Sequence, residues 1–156
     1  MSGTSETWHQ RVQCACWAED GLAFGRTAAA LFGLDGFSPR LVEVVTDRGR
    51  RRVNASIRVH ESRDLTEVDR SERLGIPLTT IERTIVDLGA VVPSVKVEQA
   101  LDDALRRGLT TPESVQRRLL QIARQGRPGV GVLRPLLDVR LGKTGPRPGV
   151  RLDGLG

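Results

Sequence analysis

GIPLTTIERTIVDLGAV, residues Gly75–Val91, changes its periodicity half-way along. Ile76 and Leu78 alternate about Pro77 in the manner of a short strand. From Ile81 onward the spacing is helical, with Ile81, Ile85 and Leu88 on one face. Thr79-Thr80 stands at the change. With Thr79 as N-cap, Glu82 takes the third helical position and completes a capping box. Glu82 and Asp87 fall off the apolar face, and Arg83 and Asp87, four apart, are expected to pair on the helix surface for well under about 1 kcal/mol. Pro77 has no N–H to donate, which predicts a sheet edge or a strand end. A strand running straight into a capped helix decides the fold class as α+β.

The same grammar extends to either side. Leu41–Thr46 (LVEVVT) and Ile57–Glu61 (IRVHE) read as short β-branched strands, and Val68–Arg70 as a weaker one. Before them, Thr7–Ala18 is expected to be a helix with Trp8, Val12, Ala15 or Cys16, and Trp17 on its apolar side, ended by Asp20-Gly21. Thr27–Phe32 is a second helix, stopped by Gly33. Downstream, Ser94–Arg107 buries Val97, Ala100, Leu101, Ala104 and Leu105 and stops at Gly108. Thr111-Pro112-Glu113 is a cap, a first-turn proline and an acid that open a helix with Val115, Leu119, Ile122 and Ala123 inward. Val130–Arg140 buries Val132, Leu133, Leu136 and Leu137, with Pro135 expected to bend it or confine it to its first turn. Residues 141–156, rich in Gly, Pro and Arg, are expected to form a disordered tail. The predicted architecture is one α+β domain over residues 1–140. Its sheet is small and mostly antiparallel (about residues 41–79), packed with N-terminal helices and a C-terminal set of three to four helices.

Composition bounds the chemistry. A chain of 156 residues that is 38% hydrophobic, with 3% aromatics and no Tyr, builds one core from Leu, Val, Ile and Ala. No apolar run is long enough for a membrane span and no signal peptide is recognisable, so a cytoplasmic location without a membrane partner is expected. Cys14 and Cys16 are too few and too close for a disulfide framework or a zinc site; one is expected in a helix's buried face. Lys and Arg total 24 against 19 acids, and only Lys96 and Lys143 are lysines. Residues 61–94 are net acidic and both flanks net basic.

Catalytic constellations are hard to assemble. His9 and His60 are far apart, and His60 alternates with Val59 as a surface or satisfied strand residue. Gly142-Lys143-Thr144 lacks the upstream glycine of a phosphate-binding loop. Neither lysine has a carboxylate two residues before it, as restriction-type nucleases require. Asp102-Asp103 are adjacent on a helix and diverge, which is poor metal geometry. The reading is non-enzymatic, with no catalytic residue, cofactor or metal.

Basic surface remains. Arg48, Arg50, Arg51 and Arg52 place four arginines in five positions beside a strand, a phosphate-contacting loop for DNA or RNA held weakly and electrostatically; the bland alternative is a solvated hairpin tip. On the Pro112 helix, Arg117, Gln121 and Arg124 share the face opposite the buried stripe, with Arg118 at its edge. If residues 94–107 and 112–125 form a helix-turn-helix, these side chains meet the major groove, although the connecting GLTTP is longer than the usual tight turn.

RTAAALFGLDGF (26–37), IRVHESRDL (57–65), GIPLTTIERTIVDL (75–88), VEQALDDALRRGL (97–109) and GRPGVGVLRPLLD (126–138) together resemble, in order, the middle region of actinobacterial AbiEi-type antitoxins of type IV toxin–antitoxin systems. The resemblance implies an α/β module that acts by binding, without a cofactor and without a stable toxin complex. It also implies that Arg83 and Asp87 fix the fold. Family members usually begin with a winged helix-turn-helix, and many continue into a Vsr-like endonuclease domain. This chain resembles the central domain alone, so a truncated relative without activity of its own is a further reading. The sequence assigns no oligomeric state.

Overall fold

Thr7 and Gln10 exchange hydrogen bonds, Gln10 N–H to Thr7 Oγ1 at 3.1 Å and Thr7 N–H to Gln10 Oε1 at 2.8 Å, and this capping box starts the first helix. The computed structural model describes residues 7–47, 52–53, 56–123 and 130–142. Helix α1 (Trp8–Glu19) ends at Asp20 in the left-handed region, and β1 (Leu22–Ala23) leads into α2 (Gly25–Leu31). Then follow β2 (Glu43–Thr46), β3 (Arg52–Val53), β4 (Arg58–Glu61), a 3-10 turn (Glu67–Asp69), β5 (Arg70–Arg73) and β6 (Ile76–Thr79). Four helices complete the described chain: α3 (Ile81–Leu88), α4 (Ser94–Arg106), α5 (Pro112–Ala123) and α6 (Val130–Arg140).

The class is α+β, with six strands in the order β3-β4-β2-β1-β6-β5. The sheet is mixed. Strands β1–β2, β3–β4 and β5–β6 pair antiparallel, whereas β1–β6 and β2–β4 pair parallel. It also starts earlier than residue 41, because β1 sits at its centre, Ala23 opposite both Val44 and Leu78. Two residues carry no alternation to read, so a strand this short leaves no trace in the sequence. Strand β6 is therefore interior rather than an edge, and Pro77 is its second residue, before the contact with β1 at Leu78. The candidate strand Val68–Arg70 is instead the end of the 3-10 turn and the first residue of β5. Leu74 and Gly75, at φ 56° and 78°, form the two-residue turn into β6 with the left-handed pattern that suits a tight hairpin.

Alternation divides the sheet between two cores. Ala23, Val44, Ile76 and Leu78 join the main core, while Leu22, Val45, Phe24 and Leu65 form a small cluster on the other face. Helix α1 packs on β2 and β6, α2 on α3, and α5 on α3 and α6. Val12, Ala15 and Cys16 fill the inward face of α1, so Trp17, one position further round, is 65% exposed rather than apolar filling. Leu101, Leu119, Leu133 and Leu137 lock the last three helices, each such side chain contributing about 1.5–3 kcal/mol of burial. Helix α6 runs on through Pro135 with Leu133 and Leu137 buried and Val132 and Leu136 partly so. Leu141 and Gly142 form a turn at its end, and the rest of the expected tail, 143–156, lies outside the described residues. Among the described residues, no helix is long and apolar enough to cross a membrane.

Candidate functional site

The strand-to-helix junction is built one residue later than the sequence suggests. Thr80, not Thr79, is the N-cap of α3, accepting the Arg83 N–H through its hydroxyl at 3.2 Å. Thr79 ends β6 fully buried, its hydroxyl 2.7 Å from that of Thr84. With the cap shifted, Glu82 no longer closes a capping box. Its Oε2 instead accepts the Thr110 hydroxyl at 2.6 Å and ties the α4–α5 connection to α3.

Arg83 and Asp87 do pair, Nε to Oδ1 at 3.0 Å, but in the interior rather than on the helix surface. Arg83 is 1% exposed, because the segment between β4 and β5 closes over it. Nη2 donates to Asp64 Oδ1 at 2.8 Å and to Ser62 Oγ at 3.2 Å, and Nη1 donates to Asp69 Oδ2 at 2.9 Å. Burial would push this guanidinium down, but Asp87, Asp64 and Asp69 overcome it and hold it above its ordinary value. Asp69, the last residue of the 3-10 turn, also receives a fork from α5. Arg118 Nε reaches Oδ1 at 2.8 Å and Nη2 reaches Oδ2 at 2.7 Å. The cluster ties the β4–β5 crossover, α3 and α5 together.

Above it opens a cleft of about 430 Å³, lined by Thr80 and Glu82 from the junction, Val68 from the 3-10 turn, and Ser114, Arg117, Arg118 and Gln121 from α5. Arg117 and Gln121 are thus exposed at one site with the opening stretch of the sequence, while Arg124 lies outside the described residues. Arg118 is committed, donating to Gln121 Oε1 at 2.7 Å as well as to Asp69. Glu82 in the wall sets a carboxylate against any phosphate approaching Arg117. Sequence reasoning missed Asp64 and Asp69, which sit in a polar run with no periodicity, and placed Arg118 only at the edge of the face opposite the buried stripe, without a partner. A signal was present only in the position of Arg83, between Ile81 and Ile85 on a helix whose residues apart from Glu82 are buried.

The other candidates divide. Arg48, Arg50 and Arg51 lie outside the described residues, and Arg52 opens the edge strand β3, its backbone opposite Val59. His60 stacks edge-on against Phe24 at 4.7 Å, with Nε2 3.9 Å from Glu43 Oε2, and His9 meets Trp8 on the surface. Asp102 and Asp103 diverge as expected. Asp102 pairs with Arg140 at 2.7 Å, while Asp103 accepts the Asp35 N–H at 3.0 Å and pairs with Arg106 and Arg107. Cys14 is exposed and Cys16 buried, where burial pushes the thiol up to about 12. Among the described residues no group of three or more His, Cys, Asp or Glu is placed to hold a metal ion.

Compared with known proteins, the chain matches no family model, no curated protein and no solved structure.

Proposed function

We propose that this chain is a non-enzymatic, cytoplasmic binding domain of the AbiEi antitoxin or regulator kind. Its partner is nucleic acid, held through Arg48, Arg50, Arg51 and Arg52 without a cofactor. The observation that supports this reading is how the arginines are distributed among partners. Within the body of the fold Arg26, Arg83, Arg107, Arg118 and Arg140 are each matched to carboxylates and serve the structure. Phosphate contacts need cations, and the densest run of arginines in the sequence leads into an edge strand. The acid beside the run, Asp47, lies 4.0 Å from Arg70.

A second reading, recognition through α5, draws on one fact: Arg117 makes no ion pair among the described residues and stands with Gln121 at an open cleft. The carboxylate of Glu82 in the wall weighs against it for a phosphate backbone.

Anisotropy titrations of duplex DNA at several salt concentrations separate the two. Replacing the four loop arginines with Ser or Gln is expected to reduce the slope of log affinity on log salt by about 3–4, one counterion set per lost phosphate contact. Replacing Arg117 and Gln121 is expected to leave that slope unchanged. If the second variant relaxes sequence preference while the loop variant keeps it, α5 is the reader. A parent chain that binds neither DNA nor RNA defeats both readings.

A further inference from the structure

The connection between α2 and β2 and the one between α3 and α4 face each other across a cleft of about 380 Å³, at the small end of the range for ligand pockets. Its walls are mainly apolar, from Phe37, Leu41, Val91, Val92 and Pro93. Three cations line it as well, Arg26, Arg40 and Lys96, and no Asp or Glu does.

Two of the cations are held in place. Glu43, 2% exposed, accepts from Arg26 Nε at 3.3 Å and Nη2 at 2.9 Å, which fixes the guanidinium and leaves Nη1 without a bond among the described residues. Lys96 Nζ donates to the Gly36 carbonyl at 2.7 Å and lies 5.1 Å from the centre of the Phe37 ring. Arg40 has no carboxylate partner among the described residues. Nor does α4 dilute this field. Its first turn contains Lys96 and no acid, and Pro93 supplies no side-chain cap. Glu43 is the one carboxylate bound to any of the three cations among the described residues, so the cleft keeps an excess of positive charge beside apolar walls.

We propose that this cleft binds a small amphipathic anion, a phosphate or carboxylate carried on an apolar body the size of a nucleobase or a short acyl chain. The anionic group meets Arg40, Lys96 and Arg26 Nη1, and the body lies against Phe37, Leu41 and Val91. Fixed cations and a preformed wall lower the ordering cost of binding. This proposal is independent of the arginine loop.

The test is a calorimetric titration of the full chain with adenosine 5′-monophosphate and, separately, with octanoate. Each is paired with its uncharged counterpart, adenosine or octanol. One anion is expected to bind, with the counterpart weaker by about ten-fold or more. Which anion binds identifies the source. The double variant Arg40→Ser, Lys96→Met removes two charges from the surface and spares the part-buried Arg26–Glu43 pair; it is expected to lose about ten-fold or more in affinity. Val91→Glu, which sets a carboxylate on a half-exposed wall, is expected to abolish binding even if the double variant melts early. Neither anion binding at millimolar concentration overturns the proposal. So does equal binding of anion and counterpart, or unchanged binding in Val91→Glu.

Discussion

Arg118 on α5 clasps Asp69, 49 residues earlier in the chain, through two parallel hydrogen bonds of 2.8 and 2.7 Å. Arg83 shares one oxygen of that carboxylate, at 2.9 Å. Asp69 is fully buried, so removing its charge takes the carboxylate from under Arg118 and one of three from Arg83, which keeps Asp64 and Asp87. Asp69→Asn is therefore expected to destabilise by about 3–5 kcal/mol, the cost of breaking a buried pair from one side. Arg118→Met leaves Asp69 with Arg83 and is expected to lose about 1.5–3 kcal/mol. Urea denaturation checks the order; equal costs would mean that Arg118 alone holds Asp69.

The junction threonines are separable. Thr80→Ala removes the N-cap of α3 and is expected to cost about 1 kcal/mol. Thr79→Ala removes one half of a buried hydroxyl pair with Thr84 and is expected to cost about 1–3 kcal/mol. Denaturation of the two single variants decides whether the buried Thr79–Thr84 pair outweighs the Thr80 cap, as the geometry requires.

Leu74 carries φ 56° while 73% exposed, so its side chain pays a steric penalty without packing in return. Leu74→Asn is expected to stabilise by about 1 kcal/mol, since left-handed backbone costs a branched L-residue roughly 1–2 kcal/mol and Asn much less. A higher melting temperature with an unchanged circular dichroism spectrum is the result to look for.

Asp103 gives the fold an acid limit. Burial would raise its carboxyl, but the Asp35 N–H and the Arg107 and Arg106 guanidinium groups hold it below the ordinary value. The unfolded chain takes up this proton first, near pH ~3.9. The contribution is therefore complete above that pH and is lost as pH falls through the lower folded value. Asp103→Asn is expected to flatten stability against pH below about pH 4, measured by urea midpoints at a series of acid pH values. An unchanged acid slope would place the titrating group elsewhere.

Much of the fold was legible because it is written in apolar spacing. Helices α1, α4 and α5 fall within a residue or two of their expected bounds, β2 and β4 lie inside theirs, and β6 runs one residue beyond, through Thr79. What was illegible has no such spacing. Strand β5, Arg-Ser-Glu-Arg, is polar and mostly exposed, and is a strand only because β6 offers it a partner. The buried carboxylates are the same case. Asp69 is indistinguishable in sequence from the surface acids around it, and its burial follows from two arginines on other elements converging on it. Of the candidate site residues, Arg117 and Gln121 reach an open cleft, a placement that followed from the helical face opposite Val115, Leu119 and Ile122.

Strand β1 gives the sheet a seam. Among the described residues, its two residues are what join β3-β4-β2 to β6-β5. On a ribosome, β1 emerges before either neighbour, meets β2 first and must wait for β6 until Leu78 has been made. During that wait one side of the central strand is an open edge, the feature that invites pairing with another chain. The chain's own β6 closes that edge by setting Leu78 opposite Ala23. Until Leu78 arrives, the unfinished sheet carries the general hazard of an unpaired strand edge, which is greatest where synthesis is crowded.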